Sequence, residues 1–322
     1  MASFILNRLW QSLILIAGVS VIGFGLMELA PGGPLAVYTL NPTVTSQDIE
    51  RIKVIFGLDQ PAYVQYLKWA GNFLAGNWGY SFFGGRPVAG IVLERIPATL
   101  LLMCTSLSLA MVIGVAVGML GAVRRYSVFD YLATTWAMVA LSLPTFWFGL
   151  VAIYIFAVEL GWFPAGGIGT LGGEGGGILD MLHHLALPAG ILALVLVAQW
   201  SRYARSAMLE VLNQDFMRTA RAKGLSGRRV LFQHGFRAAL VPLVTLMGLQ
   251  LPLLLGGALV TETVFSWPGM GLLFVNSLSM RDYPVLMAIL MLSAVAVVLG
   301  NLLADVLNAL IDPRIKLGSA RA

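Results

Sequence analysis

Six stretches of the chain run long without a single Asp, Glu, Lys or Arg. They are Leu9–Met27 (19 residues), Ile96–Val123 (28), Tyr131–Val158 (28), Leu185–Ser201 (17), Ala238–Thr261 (24) and Tyr283–Ala304 (22). A helix needs about 20 apolar residues to cross the hydrocarbon core of a bilayer. A charge at the centre of such a helix costs roughly 2.5–3.5 kcal/mol. The six runs therefore predict six membrane-spanning helices, the fourth lengthened outward through His183 and His184. A seventh charge-free run, Trp69–Gly85, is interrupted by five glycines and two asparagines and reads as a loop or interfacial segment. Pro144, Pro188, Pro242 and Pro252 fall inside the predicted spans, where proline either kinks a helix or is absorbed by packing.

Between the spans the pattern changes. Glu28–Arg95 holds five basic and five acidic residues. Within it, Ile49, Ile52 and Phe56 predict a short helix over 46–56, opened by Thr45 or Ser46 and stopped by Gly57. Tyr63, Tyr66, Leu67, Trp69 and Phe73 predict another over 61–73. Both suit helices lying on a membrane surface, or a packed lid. Glu159–Leu182 is rich in glycine (Gly166, Gly167, Gly169, Gly172, Gly173, Gly175, Gly176, Gly177) and reads as a flexible connection. Arg202–Arg237 carries eight basic residues against Glu210 and Asp215. There Leu209, Leu212, Phe216 and Ala220 recur at helical spacing, and Lys223-Gly224 supplies a basic last turn and a glycine stop. Ser226 is placed to cap a second short helix carrying Val230, Leu231 and Phe236. Two helices meeting at a Gly-Leu-Ser corner fit a docking surface, because an apolar stripe left in water usually marks an interface. A solvated basic loop is the plainer alternative. A DNA-binding helix pair is disfavoured because both ends are tied to the membrane.

Composition agrees with this pattern. Of 322 residues 58% are hydrophobic and only 11% charged, against about 45–50% and 25% in soluble domains. A soluble enzyme, a disordered tail and a fibrous protein are excluded. Basic residues set the orientation: with the N-terminus cytoplasmic, 14 Lys and Arg fall on the inner side and 6 on the outer, while the acids divide 5 to 10. The positive-inside rule then puts both termini in the cytoplasm. The net charge of +5 needs no nucleic acid to explain it. The first apolar run exceeds the usual signal-peptide core, and Glu28 and Pro31 spoil a small-residue cleavage site, so it reads as a retained helix.

Candidate chemistry is sparse. Cys104 stands alone and sits beside Thr105 and Ser106, where small residues serve helix packing. Adjacent His183 and His184 diverge by about 100° on a helix and are poorly placed to share an ion. No phosphate-binding Gly-x-x-x-x-Gly-Lys-Ser/Thr loop occurs. Only Glu28, Glu262 and Asp305 approach the spans, each near an end, whereas ion-coupled carriers usually keep a charge at mid-membrane. What remains is a pore-forming chain with a cytoplasmic docking corner and no engine of its own, which points to an energy-supplying partner.

Several stretches carry a resemblance. The most specific is Arg218-Thr-Ala-Arg-Ala-Lys-Gly224-Leu-Ser226, followed by Arg237-Ala-Ala-Leu-Val-Pro242. Others are Leu29-Ala-Pro-Gly-Gly-Pro34, Phe56-Gly-Leu-Asp-Gln-Pro61, Tyr66-Leu-Lys-Trp69, Arg86-Pro-Val88 and Glu94-Arg-Ile-Pro-Ala-Thr99. Late in the chain come Glu262-Thr-Val-Phe-Ser-Trp-Pro-Gly-Met-Gly271, Arg281-Asp-Tyr-Pro284 and Asp312-Pro-Arg314. In content and order these resemble the B-type inner-membrane permeases of bacterial ABC importers for dipeptides and oligopeptides. Three positions depart from the pattern. Arg218-Thr219-Ala220 stands where the general ABC permease loop has Glu-Ala-Ala, as peptide-type members tend to have; Gly33 replaces a frequent Asp, and Asn276 a frequent acid.

The resemblance implies an all-α integral membrane protein of the type I ABC importer permease fold, with six transmembrane helices and both termini cytoplasmic. Its expected divisions are 1–30 (N-terminal segment and first span), 31–95 (external segment), 96–310 (five-helix core containing the coupling loop 202–237) and 311–322 (cytoplasmic tail). It further implies a homologous second permease, two cytoplasmic ATPase subunits that hold ATP and Mg, and an external substrate-binding protein that delivers peptide. This chain would bind no cofactor and do no catalysis. Arg218, Thr219, Ala220, Arg221, Ala222, Lys223, Gly224, Leu225 and Ser226 would form the ATPase-coupling site. Another solute in the same family (nickel, glutathione, a sugar or an antimicrobial peptide) is the alternative, and a stand-alone channel or secondary carrier a more distant one.

Overall fold

The structure, a computed structural model, describes residues 2–30, 45, 47, 50, 51, 53, 54, 59–170, 177–256 and 258–311. The predicted helix over 46–56 falls largely outside these residues. So do the motif beyond Ala30, residues 171–176 of the glycine-rich segment and the tail from 312. Everything described is helix or loop, apart from one isolated β-bridge between Tyr80 and Pro87.

Long apolar runs become long helices. They are α1 (Ala2–Glu28), α3 (Val88–Val123), α6 (Ile178–Leu212), α9 (Arg237–Gly256) and α12 (Tyr283–Ile311). Among the described residues five helices are long and apolar enough to cross a membrane. The third predicted span, Tyr131–Val158, is not one helix. It divides into α4 (Val128–Ser142) and α5 (Thr145–Ala152), the latter continuing as a wider π turn over Ile153–Glu159. The two halves bend by 101°. Pro144 causes the break: it lacks an N–H and forces Leu143 into extended backbone, where ψ is 141°. Pro188, Pro242 and Pro252 by contrast lie inside unbroken helices.

Two other boundaries differ from the pattern of charge. The run Ala238–Thr261 is not continuous helix, since α9 ends at Gly256 and a separate short α10 begins at Leu259 (Leu259–Val264). A further apolar helix, α11 (Met270–Met280), follows; its 11 residues are too few to register as a span. The external helix predicted over 61–73 is present as α2 (Ala62–Leu74). Its aromatic face stacks onto α1: the Tyr66 ring stands 5.6 Å from Phe24, and the Trp69 ring 6.1 Å.

Packing centres on α3 against α6. The two helices approach along glycines of α3. A Cβ added at Gly118 would stand 2.2 Å from the Ser201 carbonyl oxygen, and one at Gly114 2.5 Å from Trp200 Cβ. In lipid there is little hydrophobic gain from helix association, so such backbone-to-backbone contact is a main source of attraction. At about 1.5 Å per residue, α3 and α6 are each roughly 50 Å long, well beyond the ~30 Å hydrocarbon thickness. Each therefore extends out of the membrane.

The acids within the helical core are all partnered. Glu262 is completely buried. Its carboxylate accepts from Thr99 Oγ1 (2.9 Å) and from the Gly271 and Leu272 amides at the start of α11 (2.6 and 3.1 Å). It thus neutralises the orphan donors of that helix. Cβ atoms at Gly269 or Gly271 would collide with this cluster, which accounts for the glycines of that motif. Asp282 accepts from the Ser81 hydroxyl and the Phe82 amide, tying the segment between α2 and α3 to the turn before α12. Asp130 receives both Arg205 Nε and Nη2, at 2.6 and 2.7 Å.

Gly118→Ala should lower the stability of the detergent-solubilised protein by about 1–3 kcal/mol through overpacking. Gly90→Ala, in the same helix with nothing within 4 Å, should leave it unchanged or slightly raised. Thermal unfolding of the two variants beside wild type checks this.

Candidate coupling site

The loop predicted over 202–237 begins inside a helix: α6 does not stop with the charge-free run at Ser201 but continues to Leu212. Asn213 and Gln214 then break the path. Asn213 turns its side-chain amide back to the Leu209 carbonyl (3.0 Å), and Gln214, in extended conformation, opens α7 (Asp215–Ala222). Leu209 and Leu212 therefore belong to one helix and Phe216 and Ala220 to the next. The single stripe expected from their spacing does not exist.

What anchors α7 is a different pair. Met217 and Ala220, three residues apart and so on one face, are buried among Ala122, Met208, Val211, Val230 and Ala239. Met217 is completely buried, while Phe216 on the adjoining face is 40% exposed. Ala220 therefore serves the chain's own core rather than an open surface. The corner itself is held by backbone. Lys223 N donates to Thr219 O (3.0 Å) and Gly224 N to Arg221 O (2.9 Å). Gly224 sits at φ +76°, a conformation that favours glycine and ends the helix.

Beyond the corner, Ser226 occupies the position before α8 (Gly227–Arg229), but its hydroxyl makes no capping bond. Its carbonyl instead accepts from Val230 N at 3.0 Å. The chain runs on through a π turn, Val230–Phe236, into α9. Gly235 allows this turn to close on the anchor: a Cβ there would stand 3.0 Å from the Met208 methyl and 3.2 Å from that of Met217.

The structure thus brings the nine predicted residues together as one projecting corner. Arg218, Thr219, Arg221, Ala222, Lys223, Gly224 and Ser226 are exposed, Leu225 is half-buried and Ala220 is buried. Around them stand Arg228 and Arg229, also exposed, with Asp215 3.6 Å from Arg218. That pair is too open to water to hold the shape; the Met217 cluster does so. The result is a rigid, cationic, convex knuckle with no reactive group. Arg205, read from sequence as part of the basic loop, belongs instead to the ion pair with Asp130. The 75 residues between the two partners left no local signal for that pairing. Met217 and Gly235 were equally unmarked, since only the fold shows which apolar positions meet.

The remaining candidates are placed apart from this corner. His183 Nε2 is 2.7 Å from the Trp162 carbonyl and His184 Nδ1 2.9 Å from that of Asp180, the two rings standing at 80°. Cys104 is exposed and free. Among the described residues no three His, Cys, Asp or Glu side chains are grouped to hold a metal.

A multi-span helical bundle with an exposed basic corner is the architecture of an integral membrane protein. The chain belongs to the binding-protein-dependent transport system inner membrane component family, whose pattern matches residues 95–317. The N-terminal family pattern of the same transport systems matches residues 1–103. It is therefore a multi-pass protein of the inner membrane. It is 48% identical to the oligopeptide transport system permease protein AppB of Bacillus subtilis over 98% of this chain and all of that protein. It is 40% identical to the di/tripeptide transport system permease protein DppB of Pseudomonas aeruginosa, over 98% of this chain and 99% of the other. The glutathione transport system permease protein GsiC of Escherichia coli K12 is also 40% identical, with the same coverage.

Met217→Ala should remove about 2–5 kcal/mol of local packing and free the corner without unfolding the spans. Amide hydrogen exchange over residues 215–236 should accelerate while that of α3 stays protected. Uniform acceleration across both would contradict the anchor.

Proposed function

We propose that this chain is one permease subunit of an ATP-driven importer of di- and oligopeptides. It forms half of the passage with a homologous second permease and engages the ATPases through Arg218–Ser226. The observation that carries the reading is the full-length similarity to oligopeptide and dipeptide permeases, joined to a projecting corner whose inner face alone is consumed by packing. On this reading the bent pair counts as one span, giving six, the type I importer fold and both termini in the cytoplasm. Residues 1–30 form the first span and 31–95 an external segment facing a substrate-binding protein. Residues 96–310 form the core, and 311–322 a cytoplasmic tail.

The chain itself holds no cofactor and does no catalysis; ATP and Mg belong to the two ATPase subunits. Closure of the ATPase pair on ATP would press on the corner. Because Met217 and Val230 lock the corner to Met208 and Val211 of α6, a push there moves the cytoplasmic end of α6. α6 packs along α3, so the displacement reaches the passage and opens it outward; hydrolysis reverses it. The cations Arg218, Arg221 and Lys223 would speed encounter with an acidic groove more than they tighten it. A second solute has one specific support, the glutathione permease relative, and the same uptake assay with glutathione separates the two.

Gly224→Asp tests the coupling. No atom lies within 4 Å of a Cβ at Gly224, but its φ of +76° strains any side chain placed there, so the substitution disturbs the corner locally and leaves the spans intact. The wild-type chain, purified with a tag from detergent, should bring down ATPase subunits and a second permease. The variant should retain the permease, lose the ATPases and abolish peptide uptake. A wild-type chain that purifies alone and passes solute without ATP would make it a channel or carrier instead.

A further inference from the structure

Resting on that reading, the inner half of α6 shows a feature the coupling role does not use. Gln199, Arg202, Tyr203 and Ser206 recur at i, i+3, i+4 and i+7 and so share one face of the helix. They line, with Leu141 of α4, a cavity of about 560 Å³. Arg202, Tyr203 and Ser206 are exposed, and the side chains of these three residues bond to nothing else among the described residues. Gln199 is positioned from behind. Buried Gln250 accepts from Trp200 Nε1 (3.0 Å) and donates to Gln199 Oε1 (3.1 Å). Gln199 itself lines the cavity.

The contrast with Arg205 is informative. One turn further in, that guanidinium is matched bidentately by Asp130, whereas Arg202 meets no acid. Ser201 is level with Gly118, five residues before α3 ends at Val123, so Arg202 stands near the end of a helix pair longer than the hydrocarbon core is thick. A polar face on a membrane-spanning helix turns to a protein interior or to water rather than to lipid.

We propose that Gln199, Arg202, Tyr203 and Ser206 wall the inner half of the solute passage, with Arg202 meeting the carboxylate of the passing peptide. Every linear peptide ends in a carboxylate and carries backbone amides. One unpaired guanidinium flanked by an amide and two hydroxyls complements that chemistry without selecting a side chain. The site lacks a matching acid, so it holds the solute weakly at one end, as a passage requires.

The test uses the complete importer in liposomes, with Cys104→Ser as background. Gln199→Cys and Ser206→Cys are compared with Val112→Cys, an exposed apolar position on α3, for reaction with a charged methanethiosulfonate and with an apolar maleimide. The two stripe variants should react with the charged reagent, and transported peptide should slow them; the Val112→Cys variant should react only with the maleimide. Arg202→Gln should cut uptake at saturating binding protein about tenfold, the weight of one charge-assisted hydrogen bond. Arg202→Lys should restore most of it, with ATPase co-purification unchanged in both. Maleimide-only labelling of the stripe would mean a lipid-facing surface, and no labelling a sealed contact with the second permease; either overturns the passage. Full uptake by Arg202→Gln would overturn the carboxylate contact. A wild-type importer that takes up no peptide would overturn the functional reading itself.

Discussion

The close approach of α3 and α6 is the constraint on which the rest of this structure depends. It exists because Gly114 and Gly118 present bare backbone to Trp200 and Ser201, at separations no side chain would tolerate. In a bilayer this kind of contact substitutes for the hydrophobic driving force that folds soluble bundles. Once made, it fixes which face of α6 turns toward α4 and α9. It also sets the level at which Arg205 meets Asp130. Gly121, whose Cβ would sit 3.1 Å from Asp130 Oδ1, gives that ion pair its room.

α6 then has differentiated sections. Its N-terminal part packs Leu185 and Ala189 against Ala98, Leu102 and Trp267. Its middle carries Trp200 and the Gln250 bond, and its C-terminal end carries Met208 and Val211 into the cluster that seats α7. Between Pro188 and Asn213 no proline or break interrupts the helix. On the proposed reading, displacement of the corner would pass to the rest of α6 through this hydrogen-bonded stretch.

The buried acids are each held by hydrogen-bond donors. Each is neutralised by a specific partner: Glu262 by the amides opening α11, Asp282 by Ser81 and Phe82, Asp130 by Arg205. A buried acid with its donors supplied stays put and serves as a fastener. Among the described residues Arg202 has no such partner, which sets it apart from these acids.

Much of this was legible in the sequence. Charge-free length marked five of the spans because lipid penalises a charge wherever it falls, so the signal is local. The helix stop at Gly224 was equally local, from a missing Cβ, whereas Pro144 was one of several prolines in the spans and only the structure shows that it alone breaks its helix. The corner's cations could be named because exposure needs no partner. What the sequence did not carry was pairing. Asp130 and Arg205, Thr99 and Glu262, and Met217 and Met208 are joined across loops of very different length, and nothing in a residue's neighbours tells it what it will meet. The stripe assigned to Phe216 and Ala220 misled for the same reason: the hydrophobic period shows that a face is apolar, and only the packed structure shows whether that face is spent on the chain's own core or left for a partner.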